Sequence, residues 1–455
     1  MFEKIFKKNK GITLITLVVI IIVLLILAGV SMQMLTGQNG IIKKASQAKE
    51  ETDNAQVDEL VHTSIAEALK KGLGIMKDKN LKIALNNNIG EGKYELTGEE
   101  INGWTITING REFYVDGEGE IKNDIKMLPT GEGTKPYYPD EKKFEKVDGT
   151  DLDTGLVIKE KETGDEYVWI EVPKIKEVYP TAGINITEFT ETEYKNIEKD
   201  LQTYTSYYRN GTKYSDVDNP DTAKGWFENG QYNELKNKMI KSVYQNGGFW
   251  VGRYEAGIAQ NRTTDDTPTA VPVSKANMYP YTHVTRTQAK VLAEKVEAGK
   301  YTSSLLFGIQ WDLMLKHIER KKIATDPEIK EKLTKNSTTL GNYKNNLWNI
   351  TNKLAKYSTD KGVKFQSCPY NKNESNTQDV ILTTGADESF SIMNIYDIAG
   401  NVWEWNLEKT TYSYYPCGHM GGAYTTNGNI TTVSVRQHAN EECKPEVLGF
   451  RCAIY

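Results

Sequence analysis

Near the end of the chain, Cys417, His419, His438 and Cys443 are of the residue types that bind zinc, whose usual ligands are thiolate and imidazole. Their spacings, Cys-x-His and His-x4-Cys, are not those of a zinc finger. The plainer reading is exposed imidazoles beside cysteines that are free or disulfide-linked. The chain's four cysteines allow three pairings, and the sequence does not choose among them. The same stretch carries a second kind of chemistry. Tyr412, Tyr414, Tyr415, His419, Tyr424, Asn427, Asn429, Gln437, His438 and Asn440 combine rigid aromatic area with adaptable hydrogen-bonding groups, the composition of a recognition surface. Tyrosine is also common on exposed strands, and its count of 26 against 11 phenylalanines fits that reading equally well.

Three motifs frame this stretch: Asn394-Ile-Tyr-Asp-Ile-Ala-Gly-Asn-Val-Trp-Glu-Trp405, then Gly421-Gly-Ala-Tyr424, then Gly449-Phe-Arg-Cys-Ala-Ile-Tyr455. Upstream lie Gly247-Gly-Phe-Trp-Val-Gly-Arg-Tyr-Glu255 and Ser304-Leu-Leu-Phe-Gly-Ile-Gln-Trp-Asp312. In order and spacing these pieces resemble the formylglycine-generating enzyme (sulfatase-modifying factor) family, a variant of the C-type lectin fold. That resemblance implies an oxidase using two cysteines spaced C-x4-C after the Gly-Gly segment to hold copper. Here only Cys443 precedes the closing Gly-Phe-Arg, so that pair is missing and a non-catalytic, ligand-binding head is expected. An exported oxidase or other enzyme of the family is the alternative. The resemblance also implies calcium held near the Gly-Asn-x-Trp-Glu turn, for which Asn401, Val402 and Glu404 could supply oxygens; Glu404 bonded to turn amides is the competing reading. The segment between the motifs is similar to the variable region of diversity-generating-retroelement target proteins.

These residues need a scaffold. In an extended strand, Trp403 and Trp405 share one face and Glu404 points to the other. With Phe450 and Ile454 they are expected to form an apolar floor, above which Tyr412, Tyr414, Tyr424, Asn427, His438 and Asn440 stand exposed. Ala399-Gly400-Asn401 is a turn signal, because Gly and Asn tolerate positive φ.

The other end of the chain concerns location. Lysines in residues 1–10 precede Gly11, and the uncharged apolar run 12–30, at about 1.5 Å per residue, reaches roughly 28 Å, enough to cross a bilayer core. The positive-inside rule keeps those lysines cytoplasmic. A basic stretch ending in glycine directly before the run resembles a type IV prepilin leader. The resemblance implies a prepilin peptidase cutting between Gly11 and Ile12, methylation of Ile12, and other pilin subunits as partners. Thr16 stands where pilins usually carry Glu, which places a pilus-shaft role in doubt; a tip subunit, a membrane anchor or an uncleaved signal anchor are the other readings.

The expected organisation of the 455 residues is α+β: a leader at 1–11, a pilin-like transmembrane helix with a small sheet at 12–125, a Pro/Gly linker at 126–150 and a lectin-fold domain at 151–455. An apolar stripe from Ala45 to Leu69 predicts a helix ending at Gly72, and Asn109-Gly110 predicts a hairpin between Thr105–Ile108 and Arg111–Val115. Insertions are expected near 185–240 and 321–376, with helices over 286–296 and 311–318 and a helical turn at 343–354. A net charge of −5 gives no electrostatic reason for a nucleic-acid partner. The expected product is a single-pass cell-membrane protein, or a pilus component, presenting an extracellular head to a protein or glycan, without a cofactor unless calcium binds.

Overall fold

A computed structural model describes residues 41–99, 103–121, 128–209, 213–218, 226–228 and 230–455. The chain falls into two compact units split at Asn123. The Gly11–Ile12 boundary and the apolar run 12–30 lie outside the described residues. Among those residues no helix is long and apolar enough to cross a membrane.

The first unit starts with helix α1 (Ile41–Lys71), whose Val61, Ile65 and Ala68 recur at three- and four-residue steps and so fall on one buried stripe. Helix α2 (Asp78–Asn88) adds Leu81, Ala84 and Leu85 to that core. Strands β1 (Glu95–Glu99), β2 (Gly103–Ile108) and β3 (Arg111–Val115) form an antiparallel sheet whose Trp104, Ile106, Phe113 and Val115 complete it. Asn109 and Gly110 make the β2–β3 reversal at φ 51° and 80°, the left-handed pair that a two-residue hairpin turn requires.

The second unit begins where a linker was expected, and the expectation is corrected. The proline-containing stretch turns at 131–134, and side chains in and beside it pack: Leu128, Tyr138 and Phe144 enter the main core. Tyr137 stacks on Tyr301 at 3.7 Å, and its carbonyl accepts a 2.7 Å bond from Trp250 Nε1. Proline limits backbone conformation without preventing burial.

Strands β4 (Phe144–Lys146), β5 (Val157–Glu160) and β6 (Glu166–Glu171) form one side of the main sheet. Then come helix α3 (Glu191–Tyr204), the short strand β7 (Tyr214–Ser215), helix α4 (Gln231–Asn246) and strand β8 (Gly248–Gly252). Helix α5 (Arg286–Ala293), capped by Thr285, leads to β9 (Ser303–Leu305) and helix α6 (Gly308–Lys322). The chain closes with β10 (Trp403–Thr410), β11 (Cys417–Met420), β12 (Gln437–Ala439), β13 (Leu448–Phe450) and β14 (Cys452–Ile454). The larger sheet runs β9-β14-β8-β6-β5-β4, with every pair antiparallel. The smaller one runs β12-β11-β10-β13, with β7 added along β10. The chain passes from one sheet to the other at Arg451.

The 185–240 stretch, where an insertion is expected, packs into the main core through Ile197, Leu201, Tyr208, Trp226 and Tyr232. One further expectation changes. Residues 343–354 hold a strand, Trp348–Ile350 paired with Tyr370–Lys372, and not a helical turn. Trp348 and Ile350 are buried while Asn349 is exposed, so the period is two.

Candidate functional site

Strand β10 is buried along nearly its whole length. Trp403, Trp405, Phe450 and Ile454 are all buried, as an apolar floor requires, and Trp405 lies beside Phe450 in register. Trp405 Nε1 donates to the Val284 carbonyl at 3.0 Å, which satisfies its one polar atom. His419, expected at the surface, belongs to this floor: its ring meets Trp403 and Trp405 edge-on at 4.8 and 5.6 Å. Burial pushes its pKa down to about 3, so it is a neutral packing residue. Tyr424 is likewise fully buried, and among the described residues its hydroxyl has no hydrogen-bond partner. Strand register explains the separation of the Cys/His set. Cys417 and His419 lie on one face of β11, whereas His438 pairs with Gly418 and takes the other. Among the described residues no three of His, Cys, Asp and Glu are grouped so that they could hold a metal ion.

Opposite the tryptophans lies an ionic layer. Glu404 points away from them, as alternation requires, yet it is buried and accepts from Arg451 Nε at 3.1 Å and Nη2 at 2.7 Å. Arg451 also donates from Nη1 to the Gly252 carbonyl and from Nη2 to the Tyr396 carbonyl. The turn at Gly400 and Asn401, φ 74° and 54°, sets the Val402 N–H and the Asn401 Nδ2 on Glu255 at 3.1 and 2.7 Å. Asn401 Oδ1 accepts from Leu382 N and Asn342 Nδ2. Of the oxygens expected to serve calcium, the Asn401 Oδ1 and the Glu404 carboxylate thus accept from protein donors. Burial raises the pKa of Glu255 well above the carboxylate range, helped by the charges of Asp397 and Glu404, and raises Asp397 to about 7.

A second ionic cluster lies further along β10. Arg436 Nε donates to both oxygens of Glu408, at 3.1 and 2.9 Å, and its Nη2 pairs with Asp312. Arg209 reaches Asp216, Asp312 and Glu408 at 3.1–3.3 Å. Asp216 accepts from the Gly308 and Ile309 amides at the start of α6, where the helix dipole favours a carboxylate. Gly308 is forced by close approach, since a Cβ there would lie 1.9 Å from Glu408 Oε1. The cluster fastens the 185–240 stretch to β10.

That fastening builds the exposed face. With Asp216 anchored, Tyr214 pairs with Thr410, and the Thr411 N–H donates to the Lys213 carbonyl at 2.9 Å. Tyr412, Tyr414 and Tyr415 are 38%, 84% and 48% exposed. His438 stacks on Tyr412 at 4.6 Å, lies 5.6 Å from Tyr415 and shares a 3.2 Å hydrogen bond with the Tyr214 hydroxyl. Gln437 is half-buried on the edge strand beside it. Asn429 groups elsewhere, with Asn345, whose Oδ1 accepts from Gly428 N and whose Nδ2 reaches Asn429, and the Asn427 carbonyl accepts from the Ile430 and Thr431 amides. Asn440 is exposed just beyond β12.

The family profile described as "Sulfatase-modifying factor enzyme 1-like domain" matches residues 162–455, well over half of the chain. The chain belongs to this sulfatase-modifying factor family. Its second unit is thus a C-type lectin-like domain within a mixed α+β chain. Among solved structures it is similar to the crystal structure of CarF, at 11% identity over 63% of this chain and 85% of that one, with a TM-score of 0.23. It is also similar to Treponema denticola variable protein 1, at 14% identity over 77% and 97%, with a TM-score of 0.19. No curated protein matches.

Within this sulfatase-modifying factor domain all four cysteines are free thiols, and Cys368, Cys417 and Cys452 are buried. Burial raises the pKa of every one of them, Cys368 to about 11, so each is held as the unreactive thiol. Sequence reasoning missed Lys213, Tyr214, Arg436 and Glu408. A dipeptide strand with no periodicity gives no signal, and the Glu408–Arg436 pair depends on contacts between distant segments.

Proposed function

We propose that the domain is a non-catalytic ligand-binding head that recognises a macromolecule through the face formed by Tyr214, Tyr412, Tyr414, Tyr415 and His438. The observation carrying this reading is the exposure of three tyrosines within four residues, in the turn between β10 and β11 that directly follows a strand buried along nearly its whole length. Large exposed aromatic groups on a preorganised scaffold are what binding surfaces use. The raised thiol pKa values and the missing C-x4-C pair support the non-catalytic part. We also propose that the apolar run 12–30 carries the head at the cell surface after processing between Gly11 and Ile12.

The test has two arms. The full chain is screened on protein and glycan arrays, and it is incubated with a sulfatase-motif cysteine peptide with and without copper. Specific capture without formylglycine formation is expected. Turnover that disappears in Cys443→Ser would replace this reading with the oxidase.

A further inference from the structure

We infer that the face is composite, with Lys213 as its cationic anchor, and that its partner is a protein surface presenting a carboxylate beside apolar side chains. This rests on the reading that the face binds a ligand. Lys213 is exposed and held in place from two sides. Its carbonyl accepts the Thr411 amide, and its ammonium donates to the Tyr412 hydroxyl at 2.8 Å, 5.4 Å from that ring's centroid. Both partners are neutral, and among the described residues no carboxylate pairs with it. Among the described residues this ammonium has a phenol and no carboxylate as its side-chain partner, and a carboxylate from a binding partner can join it at little entropic cost, because the side chain is already ordered.

The shape of the face bears on the partner's class. Two clefts among the described residues, of about 430 and 300 Å³, are lined by other residues, around Arg262 and around Lys238. Small ligands are enclosed in concave sites, whereas Tyr414 stands 84% exposed. Tyrosines at the centre with one charge at the margin is the arrangement of a protein–protein contact, in which the charge sets orientation and association rate.

The experiment passes the full chain over immobilised poly(Glu,Ala), poly(Lys,Ala) and polygalacturonate at two salt concentrations, using wild type, Lys213→Glu and Tyr414→Ala. Wild type should be retained on poly(Glu,Ala) in a salt-sensitive manner. Lys213→Glu should weaken that retention by about tenfold or more and shift preference towards poly(Lys,Ala). Tyr414→Ala should weaken retention without shifting the preference. Equal retention of wild type and Lys213→Glu on poly(Glu,Ala) overturns the anchor, and preferential capture by polygalacturonate overturns the protein partner. If Tyr414→Ala loses its array ligand while Lys213→Glu keeps it, the face stands and only the cationic anchor falls. If neither changes array capture, the reading of this face falls with it.

Discussion

Glu404 and Arg451 stand 47 residues apart in the chain and meet in a buried pair at the point where the backbone passes from the five-stranded to the six-stranded sheet. Both are at least 98% buried on their side chains, which are 2% and 0% exposed. The arginine thus joins the two sheets through a carboxylate on one, a carbonyl on the other and a third acceptor, Tyr396, in the short paired segment Ile395–Tyr396 ahead of β10.

Breaking one half of such a pair leaves an uncompensated buried charge, which typically costs about 3–5 kcal/mol. Arg451→Met is therefore expected to lower unfolding stability by roughly that amount, and Arg451→Lys should not restore it, because an ammonium cannot fork onto a carboxylate. Adding Glu404→Gln to Arg451→Met should recover part of the loss. Denaturant titration of the four proteins decides it. A loss below about 1 kcal/mol for Arg451→Met would remove the pair from its role as a clamp.

The neighbouring carboxylates give a pH dependence of definite sign. The pKa of Asp397 is raised by burial from 3.8 to about 7, so the folded state holds its proton more tightly than the unfolded state does. The resulting stability is full below the unfolded value and is lost as pH rises through about 7, at about 1.4 kcal/mol per pH unit for a fully shifted group. Asp397→Asn keeps an oxygen for the Gly385 amide but removes this titration and relaxes Glu255. Relative to wild type, the variant should gain stability between pH 5 and pH 8. Taking the difference between the two proteins cancels the buried neutral His317 and His419, whose depressed pKa values act in the opposite direction as pH falls. Parallel pH–stability curves for the two proteins would show that the cluster holds no proton.

Local features of the fold were legible in the sequence. The Asn109-Gly110 hairpin, the Gly400-Asn401 turn and the burial of Trp403 and Trp405 each depend on a backbone preference or a two-residue period. Alternation also placed Glu404 opposite the tryptophans, but it says which face a side chain takes and not what covers that face. Hence Glu404 was given to calcium or turn amides when its partner is Arg451. His419 and Tyr424 were read as surface groups for the same reason: their types suit recognition, while the walls burying them come from Trp403, Trp405 and Val402. The composite face required the Asp216 anchor, a contact between segments 92 residues apart.

The location of the binding face follows from this division between buried and exposed side chains. Tyr414 and Tyr415 are exposed, and substitutions at such positions usually shift stability by about 0.5 kcal/mol or less. Replacing both with Ser should abolish array capture while the thermal midpoint stays close to wild type. Tyr424→Ala should do the reverse, because Tyr424 is 0% exposed and packs with Ile381 and Val402, and truncating a large buried aromatic typically costs about 3–5 kcal/mol. Trp405→Ala should match it, with the added loss of the bond to the Val284 carbonyl. Thermal melts run beside the array decide the matter. A Tyr414/Tyr415 double variant that binds normally, or one that melts as early as Tyr424→Ala, would place the recognition face elsewhere on the head.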